Sequence, residues 1–121
     1  MANTVVEAIV ELEEIQSKLS QTVSQGGEMD ARELTKLRSS FSMGLLRLGT
    51  QARDDSAFAS DRDRLAAFNS RHREVQNELS RHQAEWMLSK IAEQPENYRD
   101  ATQKLKINQQ DFFVWTKQQA S

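Results

Sequence analysis

The chain is poor in the residues that turns, disulfides and thiol chemistry require. Its 121 residues include no cysteine, one proline and four glycines. The lack of cysteine excludes disulfides, thiolate metal sites and a thiol nucleophile. All-β domains and Rossmann-type folds need many tight reversals, and tight reversals usually need glycine or proline. The sequence therefore favours long helices joined by a few connections.

Charge and hydrophobicity exclude two further classes of protein. The chain has 16 basic and 18 acidic residues, a net charge of -2, and the two signs alternate. It lacks the concentrated basic stripe that nucleic-acid binding usually requires, and no segment approaches the ~20 apolar residues of a membrane-spanning helix. The first residues lack the basic and apolar regions of a signal peptide. We expect no nucleic-acid partner, no membrane partner and a cytoplasmic location.

The first predicted helix runs from about Asn3 to Ser24. Thr4 and Glu7 have the spacing of a capping box, in which each side chain satisfies a free amide of the other residue. Gly26 and Gly27 are expected to end the helix, because glycine adopts the left-handed C-terminal conformation without strain. The apolar residues recur every three or four positions, which predicts one buried stripe: Val5, Ala8, Ile9, Leu12, Ile15, Leu19 and Val23.

The second predicted helix begins at Asp30, with Glu33 at the capping position three residues later. Gly44 and Gly49 weaken its second half by ~1 kcal/mol each relative to alanine, so they indicate either close helix contact or a fraying end. The segment 53–56 is polar and predicts either a connection or an extension of the second helix. The apolar stripe comprises Leu34, Leu37, Phe41, Leu45 and Leu48.

The third and fourth predicted helices meet at the single proline. The third begins at Ser60, with Asp63 at the capping-box position, and continues without glycine or proline to about Glu93. Pro95 is suited to the first turn of the fourth helix, because that position needs no N–H donor. The apolar seam of the third helix alternates by three and four, which is typical of coiled-coil packing: Leu65, Phe68, His72, Val75, Leu79, His82 and Trp86. The stripe of the fourth comprises Tyr98, Ala101, Leu105, Phe112 and Trp115.

These patterns predict one all-α domain over residues 1–121. Short connections between amphipathic helices favour antiparallel neighbours. The expected architecture is an antiparallel bundle of about four helices with coiled-coil-like heptad packing.

The two histidines, His72 and His82, are the candidate metal or haem ligands. Their ten-residue spacing separates them by roughly 15 Å along one helix, too far to share an ion. Neither has the glutamate three residues before it that di-iron bundles use. The lysine and glycine that follow a phosphotransfer histidine are also missing. We expect both to be polar residues at the edge of the helix seam, and predict no cofactor and no metal.

Two segments carry more apolar residues than one buried stripe can accommodate. Consecutive apolar residues on a helix point in different directions, so some must leave the core or enter a second core. Such residues predict either a homodimer interface or a groove for a partner helix, unless the bundle hides them itself. They are Trp86, Met87, Leu88 and Ile91 near the end of the third helix, and Phe112, Phe113, Val114 and Trp115 in the fourth.

The chain lacks the sequence signatures of an enzyme. We find no nucleophile elbow and no phosphate-binding glycine loop. The expected function is a non-enzymatic protein-interaction module, an adaptor or chaperone that binds a helical segment of a partner or a second copy. In size, acidity and its amphipathic C-terminal helix the chain is similar to small helical export chaperones of the flagellar and type III secretion kind, a similarity of class with no shared motif. The alternatives are a ligand-carrying bundle that uses His72 or His82, and an exported structural subunit that assembles into filaments.

Overall fold

The computed structural model describes residues 3–24 and 30–120, and these residues form helices and no strand. The helices are α1 Thr4–Ser24, α2 Ala31–Asp54, α3 Ser56–Ala59, α4 Arg62–Glu85, α5 Leu88–Glu93 and α6 Pro95–Gln119. The all-α prediction is confirmed. The two glycines expected to end the first helix lie outside the described residues.

Asparagine and aspartate start the helices, at positions that differ from two of the predicted capping boxes. Asn3, and not Thr4, precedes α1, and its Oδ1 accepts a hydrogen bond from the amide of Val6 at 3.0 Å. Asp61, and not Ser60, is the N-cap of α4, and its side chain accepts from an amide three residues later at 3.1 Å. Both are among the strongest N-capping residues, and each outranks or equals its neighbour. The cap predicted for the second helix is confirmed, because the Asp30 side chain accepts from two amides of the first turn of α2.

The second helix extends into the segment 53–56, which leaves a short connection. Helix α2 continues through Arg53 and Asp54, and Asp55 both ends α2 and caps the single-turn helix α3. Phe58 on α3 is fully buried, and its ring lies 5.2 Å from that of Phe68 on α4. The connection therefore closes one end of the main core.

The predicted third helix is broken into α4 and α5 by Trp86 and Met87, which are not helical. The cause is a second apolar core, in which Trp86 and Ile91 pack with Leu34 and Tyr98. In a continuous helix, residues five apart point about 140° away from each other, so Trp86 and Ile91 could not both reach the same core. The prediction of an unbroken helix from 60 to 93 was wrong for this reason.

An arginine from α2 stabilises the end of α4. The guanidinium of Arg38 donates to the carbonyl oxygens of Trp86 at 2.9 Å and Gln83 at 3.1 Å. The last carbonyls of a helix have no partner within the helix, and a cation at this end is also favoured by the helix dipole. Arg38 thus supplies hydrogen-bond donors for two backbone carbonyls at the end of α4.

Most of the predicted stripes lie in one main core. Helix α1 packs against α2 and α6, and α4 packs against the same two helices. All five apolar residues of the predicted second stripe are buried. The main core contains Val5, Ala8, Ile9, Leu12, Phe41, Leu45, Leu48, Ala52, Phe58, Phe68, Val75, Leu79, Phe112 and Phe113.

Both helical glycines of α2 mark close contacts and not a fraying end. A Cβ at Gly44 would lie 2.8 Å from Cδ2 of Leu12 on α1, and a Cβ at Gly49 would lie 2.8 Å from Cε1 of His72 on α4. Separations this short lie below ordinary van der Waals distance, so each glycine allows a neighbouring helix to approach.

Candidate functional site

Half of the predicted interface residues are buried in the chain itself. Trp86 and Ile91 form part of the second core, while Phe112 and Phe113 lie in the main core. The ring of Phe113 is 6.4 Å from that of Phe41 across the bundle. These four residues are therefore buried within the chain itself and are not available to a partner.

The other four predicted interface residues lie in two separate places. Met87 lies in the turn between α4 and α5 and is 65% exposed, and Leu88 is the first residue of α5. Val114 is 50% exposed on the outer side of α6. Trp115 is partly buried, and the guanidinium of Arg71 lies 4.5 Å from its ring centre. The accessible part of the predicted interface is therefore Val114 on α6 and, at the α4–α5 turn, Met87 and Leu88.

Val114 belongs to a surface shared by α1 and α6, which we name the α1/α6 face. It comprises Val10, Ile107 and Val114, which are exposed by 43%, 61% and 50%. An ion pair between Glu13 and Lys117, 2.7 Å from nitrogen to oxygen, joins the two helices. Val10 precedes Glu13 by three residues and Val114 precedes Lys117 by three, so each valine lies beside the ion pair on its own helix. The face thus combines exposed apolar side chains with a neutralised charge pair.

A second surface, which the sequence analysis missed, is the groove between α1 and α2. This α1/α2 groove holds about 250 Å³ of space open to water. Met43 is 60% exposed beside it. The pattern of the second helix contains a signal for this surface, because Met43 falls outside its buried stripe. The groove is lined by Ala8, Glu11, Leu12, Ile15, Ser40, Met43, Gly44 and Arg47.

His72 is a buried residue with a satisfied ring. Its Nε2 lies 2.7 Å from the carbonyl oxygen of Leu45, and the ring stacks on Phe68 with centroids 5.3 Å apart. Burial lowers the pKa of His72, an effect opposed by the Leu45 carbonyl and reinforced by the charge of Arg53. A neutral ring with its proton on Nε2 donates to that carbonyl. His72 thus lies inside the core and not at the edge of the helix seam where the sequence pattern had placed it.

His82 is partly buried near the second core. Its ring stacks on Tyr98 with centroids 5.5 Å apart. Burial, with a further contribution from the charge of Arg38, lowers the pKa of His82 to about 4. The ring is therefore neutral at pH 7. The described residues contain no group of three or more histidine, aspartate or glutamate side chains that could hold a metal ion.

A narrow cleft lies between the two cores, and Gln16, Gln109 and His82 are among the residues that line it. Gln16 donates to Gln109 at 2.6 Å and accepts from Gln110 at 2.7 Å. Only about 40 Å³ of the cleft is wide enough for the centre of a water molecule, which corresponds to roughly three waters at ~15 Å³ each. Its present dimensions suit water and not an organic ligand, whose sites usually measure ~300–1,000 Å³.

Comparisons with known proteins place this chain beside none of them. No family model, no curated protein and no solved structure matches it. Within residues 3–24 and 30–120, no helix is both long enough and apolar enough to cross a membrane. What the chain binds must therefore be inferred from its own surfaces.

Proposed function

We propose that this chain is a cytoplasmic, non-enzymatic protein-interaction module of the adaptor or chaperone kind, built as an antiparallel four-helix bundle with coiled-coil-like packing. The order of contacts supports the antiparallel arrangement. Glu13 of α1 pairs with Lys117 of α6, whereas Ser20, later on α1, contacts Lys106, earlier on α6. Residue numbers that rise along one helix as they fall along its neighbour are the mark of antiparallel packing.

The observation that carries the functional proposal is the pair of exposed apolar residues on α6. Ile107 and Val114 are seven residues apart, which is the repeat that two packed helices share along their seam. Each large apolar side chain left in water forgoes up to ~1.5–3 kcal/mol of burial free energy. With Val10 they give the α1/α6 face the composition of a helix-docking surface.

The expected occupant is an amphipathic helix of another protein. Such helices lie in shallow grooves between two helices and insert apolar residues at three-, four- and seven-residue spacing. Glu13 and Lys117 neutralise each other beside the two valines, and Asp111, exposed between Ile107 and Val114, adds one acidic group to the face. A partner helix with polar flanks and a central apolar stripe fits this arrangement.

The test compares two double variants in cells that naturally make the protein. Ile107→Asp with Val114→Asp places two charges on the α1/α6 face. Ser70→Asp with Asn77→Asp is the matched control, because both residues are exposed on α4 at the same seven-residue spacing. Tagged proteins are isolated, and co-purifying chains are quantified by mass spectrometry.

We expect a specific partner to be recovered with the wild type and the control, and lost with the α6 variant. Equal recovery with all three proteins would contradict docking at this face. Circular dichroism should show the same helix content in each, because every substituted side chain is exposed. Phe113→Asp is unsuitable for this purpose, because Phe113 is fully buried and its loss would unfold the core.

A further inference from the structure

The α1/α2 groove has features that the proposed function does not use. Its floor includes the buried side chains of Ala8 and Leu12, and Leu12 packs closely against Gly44 of α2. Met43 protrudes from α2 at the edge of the same groove. A cavity and a flexible apolar side chain thus lie side by side on one face. Methionine adapts well to irregular apolar sites.

The charges on the two edges of the groove have opposite sign. Glu11 lies on the α1 edge and Arg47 on the α2 edge, and both are exposed. Neither belongs to the ion pairs seen in the described part of the chain, which include Arg64–Asp61, Lys90–Glu85 and Lys117–Glu13. The face therefore offers one acidic edge and one basic edge, each with a charge that is available to another molecule.

We infer that a second copy of this chain covers the α1/α2 groove in a two-fold symmetric dimer. Rotation by 180° about an axis parallel to the helices, lying in the contact plane, brings α1 of each copy against α2 of the other. Glu11 then faces Arg47 of the second copy, and Arg47 faces its Glu11. Met43 of each copy reaches the groove of the other. A single surface that holds both the protrusion and the cavity, and both signs of charge, is self-complementary, as an isologous interface must be.

The size of this face is sufficient for a dimer. Helices α1 and α2 contain 21 and 24 residues, so at 1.5 Å per residue they are roughly 30 Å long, and two helix diameters span roughly 20 Å. The face therefore offers roughly 600 Å² per copy, or roughly 1,200 Å² in total, at the lower end of stable specific interfaces. This inference is independent of the partner proposed for the α1/α6 face, which stays open in the dimer.

Charge reversal provides the test. Glu11→Arg and Arg47→Glu each create two like-charge contacts in the symmetric dimer, so each variant alone should dimerise at least about tenfold more weakly than the wild type. An equimolar mixture of the two should form a heterodimer, because both contacts then join opposite charges. The arginine introduced at position 11 of one variant faces the glutamate introduced at position 47 of the other, and the two unchanged residues face each other as in the wild type. Sedimentation velocity measures all three samples, and native mass spectrometry with one isotopically labelled chain identifies the heterodimer.

Met43→Asp should also weaken the dimer, whereas Leu46→Asp is the control, since Leu46 points toward α4 and lines a different groove. A wild type that remains monomeric at about 100 µM, a hundredfold above a micromolar Kd, would overturn the inference. It would be overturned equally by single charge variants that dimerise as well as the wild type, or by a dimer lost only on Ile107→Asp. Failure here would leave the α1/α6 face unaffected, because the two tests change different residues.

Discussion

Replacing Gly49 with alanine has two opposing effects on stability: a gain in helix propensity and a steric clash with His72. Alanine in a helix interior is favoured over glycine by ~1 kcal/mol. The added Cβ, however, would lie 2.8 Å from Cε1 of His72 and 3.3 Å from its Nε2. The imidazole cannot easily withdraw, because it is hydrogen-bonded to the Leu45 carbonyl at 2.7 Å and stacked on Phe68.

Steric cost should prevail at this position. Overpacking of a well-packed core costs ~1–3 kcal/mol, and loss of the His72 hydrogen bond adds ~1 kcal/mol. After subtraction of the gain in helix propensity, we expect Gly49→Ala to lower the free energy of unfolding by about 1–3 kcal/mol. The structure supplies a matched control in Gly44, whose Cβ would meet only the end of the Leu12 side chain. Leu12 borders the α1/α2 groove and can turn into it, so Gly44→Ala should change stability by less than about 1 kcal/mol.

Urea denaturation followed by circular dichroism measures both variants. The same Gly49→Ala change in a His72→Ala background should be stabilising by ~1 kcal/mol, because the obstructing ring is gone while the propensity gain remains. If Gly49→Ala is as stable as Gly44→Ala in the wild-type background, that result would contradict the close approach of α2 and α4 at Gly49.

Three further predictions concern the polar groups near the second core. Arg38→Met removes two hydrogen bonds to the end of α4 and should cost about 1–3 kcal/mol, with faster amide exchange in α5 as the specific sign. Burial lowers the pKa of His82 to about 4 from 6.5, so its contribution is present above pH 6.5 and is lost as the pH falls towards 4. After a discount for solvent screening, the free energy of unfolding of the wild type should fall by about 1 kcal/mol more than that of His82→Gln between pH 7 and 5. Equal losses of stability would contradict the lowered pKa of His82. Gln16→Leu or Gln109→Leu alone should destabilise by about 1–3 kcal/mol in urea titrations, whereas the double variant should recover most of that loss; no recovery would contradict a direct pair.

The helices and most of their buried faces could be predicted from the sequence. The stripe from Leu34 to Leu48 has a single direction, so three-four spacing was enough to identify the buried side of α2. Asp30 could likewise be predicted as the N-cap of α2, because the hydrogen bonds that favour it are local. The caps Asn3 and Asp61 could not be predicted in this way, because each stands next to another capping residue and spacing alone does not decide between the two.

The break after α4 could not be predicted, because its cause lies elsewhere in the chain. Residues 60–93 contain no glycine or proline, and every local signal favours a continuous helix. The turn at Trp86 depends on Arg38 of α2 and on the second core formed with Tyr98 of α6. For the same reason the apolar surplus could be recognised from the sequence, but its division between core and surface could not.

An exposed apolar surface at the α1/α2 groove could have been predicted from the sequence. Met43 is an apolar residue outside the buried stripe of the second helix, and Val114 on α6 was identified by the same kind of surplus. The size of the groove could not have been foreseen, since it depends on how closely α1 approaches α2, for example where Leu12 packs against Gly44.

Site-specific photo-crosslinking on the α1/α6 face tests the central claim most directly. A photoreactive phenylalanine derivative is placed at position 107 of α6, or at the exposed control position 77 of α4, in the cells that make the protein. We predict a covalent adduct with one other protein at position 107 alone, with the crosslinked peptide belonging to an amphipathic helix. The absence of an adduct at 107, equal adducts at both positions, or an adduct only with a second copy of this chain would contradict the proposed function.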